Sequence, residues 1–147
     1  MDAPFIRIRE AGPGDEPAVV RLIREFAEND SDTNLLTEEF VGEYLTSPSS
    51  FLLLAEADGQ AIGLLSYSIQ TDLYHAGPAA YIAELYVHGP DRGHGVGGAL
   101  MTDLFRRLAR LGCVVASVAV MPDNEGALRF YRAHGLVDEA ILLEKHF

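Results

Sequence analysis

The sequence predicts a mixed α/β fold, with a sheet of six to seven strands and about four helices in one domain, 1–147. Two observations carry this prediction. Segments with strand periodicity and segments with helical periodicity follow one another along the chain, and three strands come in succession near its middle. The chain has 147 residues, of which 48% are hydrophobic, so it can form one core and leaves no room for a second.

The chain is predicted to begin with one strand and two helices. Residues 5–9 alternate apolar and basic side chains, which is the period of a half-buried strand. Asp15 can cap a helix that has Pro17 in its first turn and an apolar face within 19–26. Thr37 is predicted to cap a short second helix.

Three strands in succession are predicted next. Residues 51–55 and 61–69 are apolar and are joined at Asp58-Gly59, a dipeptide that favours a tight hairpin turn. A loop separates them from a third strand at 80–88.

The remaining elements alternate between helix and strand. Leucines at helical spacing mark a helix that begins near Val96 and ends before Gly112. Residues 113–120 are continuously apolar and predict an interior strand with both faces covered. A helix is expected over 125–134, and two short apolar runs, 136–137 and 141–143, are predicted to complete the sheet.

A glycine-rich turn between the strand at 80–88 and the following helix predicts a phosphate site. Its glycines leave backbone N–H groups uncovered, the positive end of the helix points at the turn, and Arg92 adds a fixed charge. Four glycines contribute: Gly93, Gly95, Gly97 and Gly98. We therefore expect a cofactor that carries phosphate.

Composition excludes several classes of function. The net charge is −11 and Lys145 is the single lysine, which argues against a nucleic-acid partner. No apolar run approaches the roughly 20 residues that span a bilayer, and no basic, then apolar, signal segment follows Met1, so we expect a cytoplasmic protein without a membrane partner. One cysteine, Cys113, and five histidines without paired ligand spacing predict no metal site.

Residues 28–43 contain six acidic side chains and no basic one. Two of the acids, Glu38 and Glu39, are explained by the first turn of the second helix. The others either form a solvated face or line a site for a cationic amine. For the second possibility the candidates are Glu28, Asp30 and Asp32.

Two motifs resemble those of the GNAT (GCN5-related) N-acetyltransferases. Arg92-x-x-Gly95-x-Gly97, preceded by Leu85-Tyr-Val87, is similar to the acetyl-CoA-binding motif of that family. The segment from Asn124 through Phe130-Tyr131 to Gly135 resembles the family's second conserved segment. The order of the predicted elements is also that of the family, so the resemblance covers nearly the whole chain.

The resemblance implies a mostly antiparallel sheet in which two middle strands splay apart, so that acetyl-CoA binds at the gap like an added strand. It also implies a homodimer, through the C-terminal strands around 141–143. The residues expected to bind acetyl-CoA are Leu85, Tyr86, Val87, Arg92, Gly93, His94, Gly95, Val96, Gly97, Gly98, Asn124 and Tyr131.

The chemistry that the resemblance implies is direct transfer of an acetyl group from a thioester to an amine. Tyr131 is the candidate acid for the departing thiolate, and Glu84 the candidate base for the ammonium group of the acceptor. Strict alternation would put Glu84 on the strand face of Ile82, Tyr86 and His88. The alternative role for Glu84 is that of a structural acid in an ion pair.

Within the family, Ile82-Ala-Glu-Leu-Tyr-Val87 most resembles the diamine branch, the spermidine/spermine and thialysine N-acetyltransferases. Ala83 stands where that branch has its first acid, so Glu84 alone remains. A small cationic amine is the expected acceptor. An aminoglycoside, an amino acid or a protein N-terminus are alternatives, as is a non-catalytic domain that senses acyl-CoA.

Overall fold

The computed structural model describes residues 5–28 and 35–147. Five strands form one sheet in the order β1-β2-β3-β4-β5, in which the first three pairings are antiparallel and the β4–β5 pairing is parallel. The strands are β1 (Arg7–Glu10), β2 (Ser50–Ala57), β3 (Gln60–Asp72), β4 (Gly77–Val87) and β5 (Val115–Val118). The helices are α1 (Glu16–Phe26), α2 (Glu38–Thr46), α3 (Val96–Arg110) and α4 (Glu125–Ala133), and a 3-10 turn lies at Gly89–Asp91. The predicted mixed α/β class and the helix count are confirmed.

The sheet separates two layers of apolar packing. Alternate residues of β2 point to opposite faces, so Leu54 packs with Leu22 of α1 on one side and Leu53 packs with Leu104 of α3 on the other. All four leucines are fully buried. Within residues 5–28 and 35–147, no helix combines the length and apolar content needed to cross a membrane.

Local sequence signals explain two of the turns and caps. Thr37 caps α2, because its hydroxyl oxygen accepts the Phe40 N–H at 3.0 Å. Asp58 and Gly59 both have positive φ, 51° and 78°, which is the backbone of the predicted hairpin turn. Asp15 differs from expectation: its carboxylate does not cap α1 but binds Arg9 and the Gly12 N–H.

The prediction of six to seven strands is wrong, because the sheet of the described chain has five. Segments 136–137 and 141–143 were expected to add to it, yet residues 136–147 form neither helix nor strand. All residues from 137 to 147 are exposed. An apolar run alone does not make a strand, since its backbone groups must also find a neighbouring edge.

β5 is likewise not the interior strand that its apolar sequence predicted. It has only four residues, it pairs with β4 alone, and it forms an edge of the sheet in the described part of the chain. Its four residues are partly or fully exposed. The apolar side chains of 113–120 therefore border an open edge.

A β-bulge at Ala83 changes which side chains share a face of β4. Ser66 of β3 lies opposite Glu84, but the next residue, Tyr67, lies opposite Ile82, so β4 has one extra residue here. Ile82 consequently packs in the α3-side core, whereas Tyr86 packs on the α1 side. The strict alternation that grouped Glu84 with Ile82 is wrong, because the bulge interrupts it.

The last residues of β4 have a bare edge toward β5. The β4–β5 pairs end at Ile82–Val118, while β4 continues to Val87. On the β3 side, the His88 N–H donates to Ile62 O at 2.7 Å. Because ladder bonds alternate along an antiparallel pair, the main-chain groups of Leu85 and Val87 point away from β3, into the gap.

Candidate active site

A cleft of 870 Å³ lies beside the bare edge of β4. One wall is the strand itself and the turn that follows it, and α4 and the end of α1 form the others. The lining residues are Glu25, Phe26, Glu28, Leu85, Tyr86, Val87, His88, Gly89, Pro90, Arg92, Gly97, Ala127, Phe130 and Tyr131. The cleft therefore brings together two segments that the sequence analysis identified separately, 85–97 and 124–131.

The glycine turn at the end of the cleft has the conformation of an anion cradle. Gly93 and Gly95 adopt left-handed φ of 81° and 85°, and Gly95 is the N-cap of α3. Among the described residues, the N–H groups of Gly93, His94 and Gly95 have no backbone acceptor. A Cβ on Gly97 would lie 3.4 Å from the ring of Phe130, an ordinary van der Waals contact, so α3 and α4 approach each other closely here.

Arg92 covers part of the bare edge. Its Nε donates to the carbonyl oxygen of Val87 at 2.9 Å, and its guanidinium lies 5.3 Å from the ring centroid of Tyr86. His94 is exposed, and its Nδ1 lies 3.3 Å from the Asp91 carbonyl oxygen. At this end of the cleft, one fixed positive charge thus stands beside uncovered N–H groups.

Tyr131 and Asn124 are both held by α4. Tyr131 lines the cleft and is partly buried, and burial raises the pKa of its phenol above the ordinary value. A raised pKa keeps the phenol protonated at neutral pH. Asn124 caps α4, with its Oδ1 accepting the Ala127 N–H at 3.1 Å, and it lies outside the residues that line the cleft.

Glu84 lies on the α2 side of the bulge and is not among the residues that line this cleft. Its carboxylate accepts a short hydrogen bond from the Ser66 hydroxyl, and its backbone N–H donates to the Ser66 Oγ at 3.0 Å. Nearby, burial and then the charge of Glu84 raise the pKa of Tyr44 to about 12. Glu84 therefore belongs to a polar cluster with Ser66 and Tyr44.

A second polar cluster, which the sequence did not predict, consists of Glu25, Tyr86 and His88. Glu25 Oε2 accepts from the Tyr86 hydroxyl at 3.1 Å and lies 2.9 Å from His88 Nδ1. Burial tends to raise the pKa of Glu25, but the bonds from His88 and Tyr86, with the charges of His88 and Arg21, outweigh it and lower the pKa. Sixty-three positions separate Glu25 from His88, so no local spacing could have predicted this pair.

The acidic residues proposed as an amine-binding rim are only partly placed. Glu28 lines the cleft, whereas Asp30 and Asp32 lie outside the described residues. Glu28 also borders a second cleft, of 740 Å³, between α1 and α2. That cleft is lined by acidic and basic side chains together. Its lining residues are Pro17, Val20, Arg21, Arg24, Glu25, Glu28, Thr37 and Glu38.

Comparison with known proteins identifies the family. The model of the acetyltransferase (GNAT) family matches residues 17–136. The chain belongs to the GNAT family. It is therefore an N-acetyltransferase by family, and acetyl-CoA dependence is the general property of that family.

Two named relatives match this acetyltransferase over most of both chains. An aminoalkylphosphonate N-acetyltransferase of Salmonella typhimurium is 28% identical over 132 residues, covering 90% of this chain and 85% of the relative. A thialysine N-epsilon-acetyltransferase of Bos taurus is 31% identical over 145 residues, covering 91% and 85%. The predicted likeness to the diamine and thialysine branch is confirmed by the second match.

The fold is shared with solved acetyltransferase structures. An aminoglycoside acetyltransferase from an uncultured soil metagenomic sample, solved with sisomicin, superposes with a TM-score of 0.84 at 21% identity. The match covers 97% of this chain and 95% of that one. At this identity the likeness concerns the fold, and the predicted GNAT fold is confirmed.

Proposed function

We propose that this protein, as one domain spanning 1–147, transfers an acetyl group from acetyl-CoA to the primary amine of a small cationic molecule. The observation that carries the proposal is the cleft itself. It combines three features on one surface. The bare strand edge suits a pantetheine arm, and the turn with uncovered N–H groups suits a diphosphate. The protonated phenol suits a departing thiolate.

The residues of the cleft fit acetyl-CoA by the chemistry of their donors. The N–H groups of Gly93, His94, Gly95, Val96, Gly97 and Gly98 would hold the diphosphate at the start of α3, with Arg92 as counter-charge. The main-chain groups of Leu85 and Val87 would pair with the amides of the pantetheine arm, and the side chains of Tyr86, Asn124 and Tyr131 would flank it. When bound, acetyl-CoA supplies the activated acetyl group.

Tyr131 is proposed as the acid. Its hydroxyl would give a proton to the sulfur as the carbon–sulfur bond breaks. The acceptor nitrogen would return a proton to the Tyr131 phenolate as the amide forms. Its place in the wall of the cleft supports this role. Burial raises the pKa of the phenol, so the site must assist the transfer of its proton to a thiolate, whose reference pKa of about 8.5 is lower.

Glu84 is proposed as the base that takes the first proton from the acceptor ammonium, through water. Support comes from its position at the Ala83 bulge and from the fixed orientation that Ser66 gives to its carboxylate. Glu84 would also attract the positive charge of the acceptor. Two protons leave the acceptor nitrogen: Glu84 would pass the first to solvent, and the Tyr131 phenolate would take the second, which replaces the proton that it gave to the sulfur.

A small cationic amine is proposed as the acceptor. Glu28 supports it from the wall of the cleft, and Asp30 and Asp32 are close in sequence. A locally negative potential raises the encounter rate of a cation, and salt screens it over about 8 Å at physiological ionic strength. The named relatives are an aminoalkylphosphonate and a thialysine N-acetyltransferase, both of which point to small amines.

The homodimer and the cytoplasmic location that the sequence analysis predicted are also proposals. The exposed apolar residues after α4, among them Ile141 and Leu143, support an association through the C-terminal segment.

The direct test incubates the protein with acetyl-CoA and a panel of amines while free thiol is measured. The panel should contain diamines, thialysine, an aminoalkylphosphonate, an aminoglycoside, free amino acids and a peptide with a free N-terminus. We expect release with a small cationic amine, and a kcat/KM that falls steeply with salt. In the variant with Asp30→Asn and Asp32→Asn, the slope should be smaller.

Other outcomes separate the alternatives. A best substrate without net positive charge would end the cationic-amine proposal and leave the transferase assignment in place. Binding of acetyl-CoA without thiol release from any amine would favour an acyl-CoA sensor.

A further inference from the structure

Three side chains in contact connect α1 to the glycine turn. The Tyr86 hydroxyl donates to Glu25 Oε2 at 3.1 Å, and the Arg92 guanidinium lies 5.3 Å from the centroid of the Tyr86 ring. Glu25 and Arg92 therefore contact the same tyrosine, one at its hydroxyl and the other at its ring. Arg92 is the proposed counter-charge of the diphosphate, whereas Glu25 has no role in the proposed reaction.

Arg92 depends on its neighbours for a defined position, because it lies on an exposed turn. An exposed arginine side chain loses rotamer freedom when it binds an anion. Two contacts already restrict this freedom: the Nε donates to Val87 O at 2.9 Å, and the guanidinium lies against the Tyr86 ring. The Nε bond leaves the terminal N–H groups for an anion, so the side chain is preorganised to bind one.

Tyr86 is itself held from the side of α1. Its hydroxyl is bound by Glu25, and its ring meets the ring of Phe26 edge to face, with centroids 5.8 Å apart. The pKa of the Tyr86 phenol is raised, by burial first and then by Glu25, against the opposing charge of Arg92. The phenol therefore keeps the proton that it donates to Glu25. Donation to a carboxylate moves electron density into the ring and so strengthens its attraction for a cation.

His88 fixes the carboxylate that binds Tyr86. Its Nδ1 lies 2.9 Å from Glu25 Oε2, the same oxygen that accepts from the Tyr86 hydroxyl. Both partners of this oxygen belong to the end of β4 and the residue that follows it. Glu25 thus has a defined position from which it can hold the tyrosine.

We infer that Glu25 is a positioning residue for the cofactor, which acts through Tyr86 to hold the Arg92 guanidinium at the end of the cleft. The inference rests on the proposed function for the identity of the ligand, a diphosphate. It gives α1 a part in cofactor binding, although no residue of α1 belongs to either of the motifs that resemble the family's.

The first test measures the position of Arg92 without any cofactor. By NMR relaxation, the Nε–H of Arg92 should have a high order parameter in the wild type and a low one in Glu25→Leu and in Tyr86→Phe. Tyr86→Phe removes only the hydroxyl and keeps the ring, so it guards against misfolding of the first variant. An order parameter that neither substitution lowers would overturn the inference.

Arg110 supplies the reference value for that measurement. It is exposed, and within residues 5–28 and 35–147 its side chain has no hydrogen bond or ion pair. Its Nε–H should therefore report an unrestrained arginine in the wild type and in both variants.

The second test measures the Kd of CoA by calorimetry. In Glu25→Leu and in Tyr86→Phe it should rise about two- to fivefold, the loss expected when an exposed cation–π contact is weakened. At saturating acetyl-CoA, kcat should stay close to that of the wild type. Asp72→Asn is the matched control, because it breaks an acid–histidine pair in the turn between β3 and β4, and it should leave the Kd unchanged.

A double-mutant cycle decides whether Glu25 acts through Arg92. Once Arg92→Leu is present, Glu25→Leu should no longer weaken the binding of CoA. Additive losses would overturn the inference, because Glu25 would then act on the cleft by another route. An unchanged Kd for CoA with a raised KM for the amine would also overturn it, and would assign Glu25 to the acceptor.

Failure of the proposed function would have a different signature. A wild type that does not bind CoA would contradict that function. The relaxation of the Arg92 Nε–H would still decide whether Glu25 positions this side chain.

Discussion

Ser66 and Glu84 hold each other across β3 and β4 at the point where β4 gains an extra residue. The Ser66 hydroxyl donates to the Glu84 carboxylate, and its oxygen accepts the Glu84 backbone N–H at 3.0 Å. A bulge disrupts the ladder of backbone bonds. The side chain of Ser66 replaces the missing backbone acceptor, and only 5% of Ser66 is exposed to water that could do so instead.

Replacing Ser66 by alanine should therefore destabilise the protein and slow the reaction. The Glu84 N–H would lose its acceptor in a largely buried site, which costs about 1–3 kcal/mol in the free energy of unfolding. With Glu84 as the base, kcat should fall while KM for acetyl-CoA changes little. Ser68→Ala, two residues along the same strand, is the control. Equal behaviour of the two variants in urea unfolding and in turnover would contradict this role of Ser66.

Tyr131→Phe should lower kcat by about tenfold or more, because it removes the proton donor and keeps the ring. Its affinity for acetyl-CoA should change much less, since the thiolate charge develops only as the bond breaks. Pre-steady-state measurements must establish that chemistry limits the rate. Unchanged turnover under that condition would remove Tyr131 from the mechanism.

Gly95→Asp should abolish binding of CoA, whereas Gly95→Ala should only weaken it. Both variants place a Cβ at a φ of 85°, so they share the backbone strain, and beyond the two neighbouring residues this Cβ would meet no atom within 4 Å. Only aspartate adds a negative charge at the proposed diphosphate site. The readout is the rise in Tm with CoA concentration, which follows from binding to the folded state. A Gly95→Asp variant stabilised by CoA as strongly as the wild type would refute the cradle.

The Glu25–His88 pair should stabilise the protein in a pH-dependent way. The pKa of Glu25 is lowered in the folded state, so its stabilisation is present above the unfolded value of 4.5 and is lost as the pH falls through the folded pKa. Glu25→Gln should thus lower Tm at pH 7 and make less difference at about pH 3.

Asp72→Asn is the matched control for Glu25→Gln. It breaks the more exposed pair with His75, whose atoms lie 2.6 Å apart in the turn between β3 and β4. Its effect on Tm at pH 7 should be smaller, because solvent screens this pair. An equal effect of both variants would mean that the Glu25 pair contributes nothing beyond a surface contact.

The sequence predicted what depends on neighbouring residues. The glycine turn, the Thr37 cap and the hairpin at Asp58-Gly59 follow from backbone preferences of a few adjacent positions, and the structure contains all three. The sequence also predicted the two main segments of the cleft, 85–97 and 124–131, because each contains a motif that resembles the family's.

What the sequence did not reveal depends on distant partners. The strand expected at 141–143 needs an edge to pair with, and the run of apolar residues carries no information about that edge. The bulge at Ala83 is a property of two paired strands, so periodicity along β4 alone misassigned the face of Ile82. Glu25 and His88 meet only because α1 packs over the end of β4.

The hydrogen bond from Arg92 to Val87 O has a consequence for solubility. A bare strand edge can template the addition of a strand from another molecule, and this is a common route to aggregation. The Arg92 guanidinium donates to the Val87 carbonyl oxygen, so this acceptor is not available to an added strand. Arg92 thus counters the addition of a strand at the edge where the cofactor is proposed to bind.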